Sequence, residues 1–474
     1  MAVKDGDVEQ GLLSGLKKQQ HSTWTILRSY KRIVMIAASL TVLVGLVCLA
    51  QGSPSSSVKP VTPTLNVPAE IQHSWAQYSP YFAADQYRAP SKGCEVTQVN
   101  IIQRHGARFP TSGAATRIKS ALAKLTSVSN FTDPRLNFIK TFTYDLGSDD
   151  LVSFGAAQSF DSALEVHQRY SHLVSAKNVP FVRASSSERV VASAVNWTQG
   201  FAAATHVYTP KVDLILEEAA NDTLDDAMCP QAGSSDTQTT QWLSVYGPSI
   251  AASLNAGAPG ANLTNVDVYN LISLCPFDTV FHEKRSPWCD LFATEKGAFS
   301  GFAYSGDLDK YYNTGYGQDL GPVQGVGYVN ELIARLTGTA VHDNTQTNRT
   351  LDANPATFPL NRTIYADFSH DNQMIAIYAA MGLFKQATAL NTTNPYSSSK
   401  RTWFASRLVP FSARMVVEKL QCGKTQNVRI LVNDAVQPLE FCGSGNGLCT
   451  VDAFVKSQSY SRNNGEGDFE RCFA

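Results

Sequence analysis

Thr97-Gln-Val-Asn-Ile-Ile-Gln103 runs straight into Arg104-His105-Gly106-Ala107-Arg108-Phe109-Pro110. The first seven residues are rich in β-branched side chains and predict a strand. The next seven read as a turn made to meet an anion. Two arginines flank a histidine, and the glycine between them lets a ligand come close to the backbone. A guanidinium fork matches phosphate oxygens in pairs and keeps its charge at any ordinary pH. A neutral imidazole nitrogen between two such clamps can attack phosphorus and split hydrolysis into two easier steps. An R-H-G triplet on its own is more often a solvated surface turn, so the reading depends on what else the chain brings to the same place.

Two further strand-like runs also end in ionisable residues. Val179-Pro-Phe-Val182 precedes Arg183-Ala-Ser185, and Thr363-Ile-Tyr-Ala-Asp-Phe368 precedes Ser369-His370-Asp371. Leu151–Leu173 and Asn372–Leu383 carry apolar residues at helical spacing. Strands alternating with helices predict an α/β fold. The expectation is a mixed, mostly parallel central sheet flanked by helices, with a smaller helical subdomain inserted at about residues 184–300. Such sheets bind ligands beyond the carboxyl ends of their strands, so the three strand ends should converge on one pocket. There Asp371 suits a general acid that later becomes the base for water. His370 adds a donor, and Arg183 a third phosphate clamp. His342-Asp343-Asn344 repeats the tripeptide His370-Asp371-Asn372. The earlier copy opens a polar run and predicts an exposed loop, so the chemistry is assigned to the later one.

No second His/Asp cluster supports a metal phosphohydrolase, and no phosphate-binding loop or dinucleotide fingerprint occurs. No metal and no cofactor is therefore expected. The chain has 474 residues, 43% of them hydrophobic, and a formal charge of −1. That is enough apolar material for a large core and no basic excess for nucleic acid. Residues 33–50, IVMIAASLTVLVGLVCLA, form an uncharged run of 18 behind Lys17, Lys18, Arg28, Lys31 and Arg32. This predicts a disordered cytosolic tail over 1–32 and a signal-anchor at 33–50 that makes the chain a single-pass type II membrane protein. A cleaved signal peptide ending near Ala50 is the alternative. Residues 51–69 are rich in Ser and Pro and predict a linker before a catalytic domain at 70–474. Eight cysteines beyond the apolar run and seven N-x-Ser/Thr sequons fit a disulfide-bonded glycoprotein of the secretory pathway.

RHGARFP at 104–110 resembles the first signature of the histidine acid phosphatases, branch 2 of the histidine phosphatase superfamily. Ser369-His370-Asp371 is similar to their second signature. Phe181-Val-Arg-Ala-Ser185 is similar to the segment that carries their third arginine. Thr223-Leu-Asp225 with Cys229-Pro230 resembles a further segment of the fungal phytases, and the likeness over 70–474 is nearest to those of basidiomycetes. The resemblance implies His105 as nucleophile and Asp371 as proton donor, with Arg104, Arg108, Arg183 and His370 holding the phosphate. It implies myo-inositol hexakisphosphate (phytate) as substrate, and the pairs Cys94–Cys422, Cys229–Cys472, Cys275–Cys289 and Cys442–Cys449. A lysine-rich stretch of related phytases is replaced here by Thr111-Ser-Gly-Ala-Ala-Thr-Arg117-Ile-Lys119. Arg117 and Lys119 are the candidates for outer-phosphate contacts, a solvated helix face being the plainer reading. The alternatives are a broad acid phosphatase with the same apparatus and a catalytically silent, membrane-tethered binding glycoprotein. The retained site residues speak against the silent form.

Overall fold

The computed structural model describes residues 58–218, 220–395 and 401–474. The predicted tail at 1–32, the apolar run at 33–50 and the first part of the linker lie outside them. Among the described residues no helix is long and apolar enough to cross a membrane.

The strands are β1 (Cys94–Arg104), β2 (Phe181–Ser185), β3 (Val212–Leu216), β4 (Ile364–Ser369), β5 (Arg414–Cys422), β6 (Thr425–Val432), β7 (Ala435–Val436) and β8 (Cys449–Thr450). They lie in the order β3-β2-β4-β1-β5-β6-β7, with β8 against β6. β3, β2, β4 and β1 are mutually parallel, and β5 to β7 continue the sheet antiparallel. The helices used below are α1 (Ser112–Thr126), α2 (Ser153–Tyr170), α3 (Glu188–Thr205), α4 (Asp236–Gly257), α5 (Asn265–Ile272), α6 (Leu274–His282), α7 (Pro287–Ala293), α8 (Ala298–Asn313), α9 (Val326–Thr337) and α10 (Asp371–Met381).

Side chains alternate across the sheet with the period of two that extended backbone imposes. Val99 and Ile101 of β1, Val182 and Ala184 of β2, and Ile364, Ala366 and Phe368 of β4 point to one face. There they meet Ala163, Val166 and Tyr170 of α2 and Trp197 and Phe201 of α3. Ile102 of β1 points to the other face, whose core includes Tyr328, Val329 and Leu332 of α9 and Met374, Ile375 and Tyr378 of α10. Both faces are covered, which is why the central strands read as nearly continuous apolar runs. Trp197, without solvent exposure and stacked on Phe201 at 5.2 Å, anchors the first face. Truncating such a residue costs about 3–5 kcal/mol.

Two expected boundaries move. The folded unit starts before residue 70: the backbone N–H groups of Val61 and Thr62 donate to the Asp161 carboxylate at 2.7 and 2.8 Å, and Leu65 and Val67 are buried. The helical subdomain does not begin at 184, because α3 and β3 belong to the sheet layers. It consists of α4 to α8 joined by α1, which packs on α5 from far back in the sequence. Its turns are held by Cys275–Cys289. Three more bridges join Cys94 to Cys422, Cys229 to Cys472 and Cys442 to Cys449, giving the same four pairs that the resemblance implies.

Candidate active site

β1 and β4 are adjacent, and their register pairs Arg104 with Ser369. The residues that follow, His105 and His370, therefore leave the sheet side by side, with ring centroids 5.7 Å apart. His105 N–H still donates to Ser369 O at 3.0 Å, and Ser412 N–H donates to His105 O at 3.0 Å, so its backbone is held on both sides. The next turn has no spare room. A Cβ on Gly106 would lie 2.1 Å from Gly155 O, and one on Gly155 would lie 2.0 Å from Ala107 O. Only glycine at both positions lets the start of α2 abut the histidine turn. α1 begins just afterwards, capped by the Thr111 hydroxyl, which accepts from Ala114 N–H.

His105 is buried, and its Nδ1–H donates to Gly106 O at 2.8 Å. That fixes the tautomer in which Nε2 carries the free lone pair. Burial, with Arg104 and Arg108 adding to it, holds the imidazole well below its ordinary pKa. It is therefore neutral, as a nucleophile must be.

Arg104 is fully buried. Its Nη1 donates to Val409 O at 2.7 Å and to Gln77 O, and its guanidinium lies over the Phe411 ring at 4.8 Å. Its Nε and Nη2 make no hydrogen bond among the described residues, although Nη2 is 3.2 Å from Asp371 Oδ2. Burial, with Arg108 beside it, lowers the guanidinium to about 10. Arg108 is buried and anchored through Nη1 to Phe109 O at 2.7 Å, with Nε unpartnered among the described residues.

Asp371 opens α10. It lies 2.8 Å from Lys310 Nζ, on α8, and 3.2 Å from Arg104. Burial alone would raise its carboxyl, but Arg104 and Lys310 hold it well below the usual range. Lys310 also donates to Asn372 Oδ1 at 2.6 Å and meets Asp309 at 3.1 Å. His370 lies at the same place with partners on both nitrogens. Nε2 donates to Glu218 Oε1 at 2.9 Å, and Nδ1 is 3.4 Å from Arg189 Nη2. The bond from His370 takes the Glu218 carboxyl down to about 2. Asp225, 3.7 Å from His370, is carried there by a loop whose Thr223 and Leu224 carbonyls accept from Gln373 and Ser369. Nδ1 accepts from Arg189, so His370 can donate to a phosphate only by turning its Nε2–H away from Glu218.

Arg183 is not a clamp. It lies inside β2 between Val182 and Ala184, so its side chain is on a sheet face rather than at the strand end. Its Nε donates to Asp367 at 2.8 Å, and Nη1 and Nη2 donate to Glu331 at 3.1 and 2.6 Å. Arg335 binds the same Asp367 at 2.6 Å. Every nitrogen of Arg183 is used, and the residue is 1% exposed. The position beside His105 belongs to Arg189, two residues into α3. Its Nε is unpartnered among the described residues, and burial together with Arg108 lowers its guanidinium. The signal for Arg189 was present, a second arginine following Ser186-Ser187-Glu188 at the start of the helix.

Arg117 and Lys119 are exposed on α1, and Lys119 lies over the Tyr144 ring at 5.0 Å. The duplicate tripeptide lies in a loop with His342 and Asn344 exposed, as expected, but its Asp343 is not solvated. Asp343 is buried and accepts from Asn330 and from the backbone and hydroxyls of Thr345 and Thr347. This is a carboxylate tying down its own loop.

The site is thus a neutral imidazole ringed by Arg104, Arg108 and Arg189, with an acid and a lysine opposite. Comparison with known proteins agrees with it. Residues 95–433 match the histidine phosphatase superfamily (branch 2). The chain is 40% identical over 432 residues to Phytase A of Aspergillus awamori, covering 86% of this chain and 91% of that one. It is 41% identical over 425 residues to Phytase A of Emericella nidulans, covering 85% and 91%. The crystal structure of the phytase from D. castellii has the same fold, with a TM-score of 0.68 at 21% identity over 89% of this chain and 91% of that one.

Proposed function

We propose, for a chain that belongs to branch 2 of the histidine phosphatase superfamily, that it removes phosphate from myo-inositol hexakisphosphate through a phosphohistidine at His105. It is a phosphoric monoester hydrolase of the phytase type. The observation that carries the mechanism is the free Nε2 of a neutral His105 among three guanidiniums that retain unbonded N–H groups. Arg104, Arg108 and Arg189 bind the phosphate oxygens and stabilise the charge that builds on them.

In the first step Nε2 forms a bond to phosphorus and the ester P–O bond breaks. The leaving oxygen takes its proton from Asp371. In the second step Asp371 takes a proton from water, the oxygen of that water bonds to phosphorus, and the P–N bond breaks to release phosphate. Asp371 is ionised where Arg104 and Lys310 face it. Substrate phosphate brings negative charge to Arg104, offsets that field and raises the proton affinity of Asp371 when an acid is needed. His370, with Nε2–H held by Glu218, accepts from Arg189 at Nδ1 and so steadies that clamp beside the phosphate.

Arg117 and Lys119 lie on the helix that follows the nucleophile turn, and we assign them to the outer phosphates of the substrate. The four disulfides and the sequons support a lumenal or extracellular catalytic domain, carried by the segment at 33–50 either as an anchor or as a leader.

The test is a rapid quench without acid using ³²P-labelled phytate. Label on a peptide containing His105, and its loss in His105→Ala, is the expected result. Label on a serine, on an aspartate or on no peptide would overturn the mechanism.

A further inference from the structure

The proposed chemistry needs two parts of the chain in fixed relation: the turn that aims His105 and the first turn of α3 that presents Arg189. One side chain touches both. Ser193 is fully buried on α3, one helical turn after Arg189. Its hydroxyl donates to Arg189 O at 2.7 Å, and its oxygen accepts from Gly106 N–H at 3.0 Å. The first bond is the ordinary back-bond of a helical serine and would satisfy it alone. The second leaves the helix and ends on the residue next to the nucleophile. Gly106 is then held at both polar groups, its N–H by Ser193 and its C=O by His105 Nδ1–H, the bond that sets the tautomer and aim of the imidazole. The following amide, Ala107 N–H, goes to Gln158 on α2 at 3.0 Å, so Ser193 supplies the hydrogen bond from this turn to the helix bearing Arg189.

We propose that Ser193 is a positioning residue for the hydrolysis: a strut that keeps the His105 turn in register with Arg189, so that nucleophile and clamp address one phosphorus atom. This rests on the phosphohistidine reading above. It makes the relative placement of two segments, rather than either charge, depend on one hydroxyl.

The test uses the full chain with an aryl phosphate as substrate. Ser193→Ala removes the hydroxyl and adds no atoms. kcat should fall about tenfold or more, as displacement of reacting groups by a fraction of an ångström does, while KM changes far less. Phosphoenzyme formation in a single turnover should slow by the same factor, and Ser193→Thr, which keeps the hydroxyl, should recover most of the rate. In an Arg189→Ala background the Ser193→Ala loss should shrink, because the strut then has no clamp to align. A Ser193→Ala enzyme that melts earlier but turns over at the wild-type kcat would reduce Ser193 to a packing residue and overturn the proposal, as would full additivity with Arg189→Ala. If Ser193→Ala does not fold, Ser193→Cys, similar in shape and far weaker as an acceptor, is read by the same criteria. A wild-type chain inert on both aryl phosphate and phytate would sink the functional reading instead, and the two failures are distinct.

Discussion

Arg104 and Arg183 approach β4 from opposite sides, one from β1 and the other from β2, and each meets an aspartate. Both are buried. Arg183 has all its nitrogens on the carboxylates of Asp367 and Glu331, with Arg335 sharing Asp367. Two cations face two anions, and nothing is left to offer. Arg104 spends Nη1 on two carbonyls and keeps Nε and Nη2 free of hydrogen bonds among the described residues. Protonation follows the same division. Burial would lower Arg183, but Asp367 and Glu331 hold it well above its ordinary value, whereas burial and Arg108 leave Arg104 lowered. A closed ion cluster is architecture, whereas a guanidinium held beside other cations with donors unspent is suited to bind an anion. Depth of burial does not separate the two, but the count of satisfied donors does.

The contrast can be broken most sharply at the two aspartates. Asp371→Asn should lower kcat on phytate by about 10²–10⁴-fold, the usual worth of a positioned acid. The loss should be smaller on aryl phosphates, whose leaving groups need less protonation, and steady-state kinetics on both substrates measures it. Asp367→Asn, four residues earlier, should leave the turnover of folded enzyme near wild type but destabilise the fold by about 3–5 kcal/mol, because Arg183 and Arg335 would share a lost charge. Denaturant unfolding with a titration of active sites reads both quantities. An Asp367→Asn enzyme of normal stability and poor turnover would reverse the assignment.

Acid should act on the closed cluster as well. Burial pushes Asp367 up, but Arg183 and Arg335 bring it down from 3.8 to about 2. A depressed carboxylate stabilises the fold fully above its unfolded value and loses that contribution as pH falls toward the folded one. The loss should therefore appear between about pH 4 and pH 2 and amount to about 2 kcal/mol. Unfolding free energies across that window, compared with Asp367→Asn, isolate it.

The smallest effect belongs to the exposed cations. Arg117→Ala with Lys119→Ala should raise KM for phytate about two- to fivefold, leave aryl phosphate hydrolysis nearly unchanged and matter less as salt rises. Equal effects on both substrates would make α1 a support for the nucleophile turn rather than a rim contact.

The sequence revealed the strands that lead into Arg104 and Ser369, the helices behind them, and the grouping of His105 with His370 and Asp371. These are local signals, an apolar run followed by ionisable residues. Arg183 was misread because a strand end was placed three residues too early, at Val182 rather than Ser185. Its neighbours Val182 and Ala184 are both core residues of one face, so the arginine between them had to point to the other. Asp343 was misread because a polar run is not necessarily solvated, and the threonines at 345 and 347 supply the donors that let it bury. Lys310 carried little local signal. It is a single lysine in a helix of mixed character, brought to Asp371 by the packing of α8 near α10.

The register of β1 also bears on how the molecule comes into being. Its partners are β4 on one side and β5 on the other, pairing Val99 with Ile364 and Ile101 with Val416. As the chain emerges from the ribosome, the strand leading to His105 is made long before either partner, and both of its edges stay open until β4 and then β5 have been synthesised. Open edges of apolar strands invite wrong pairing, and contacts this distant in sequence form slowly. A nascent chain that ends just before residue 414 contains His105, Arg108, Arg189 and Asp371 but lacks one wall of the strand that aims the nucleophile. Catalytic competence should therefore arrive abruptly, once the β5 residues from Arg414 onward have been made, rather than accumulate with length.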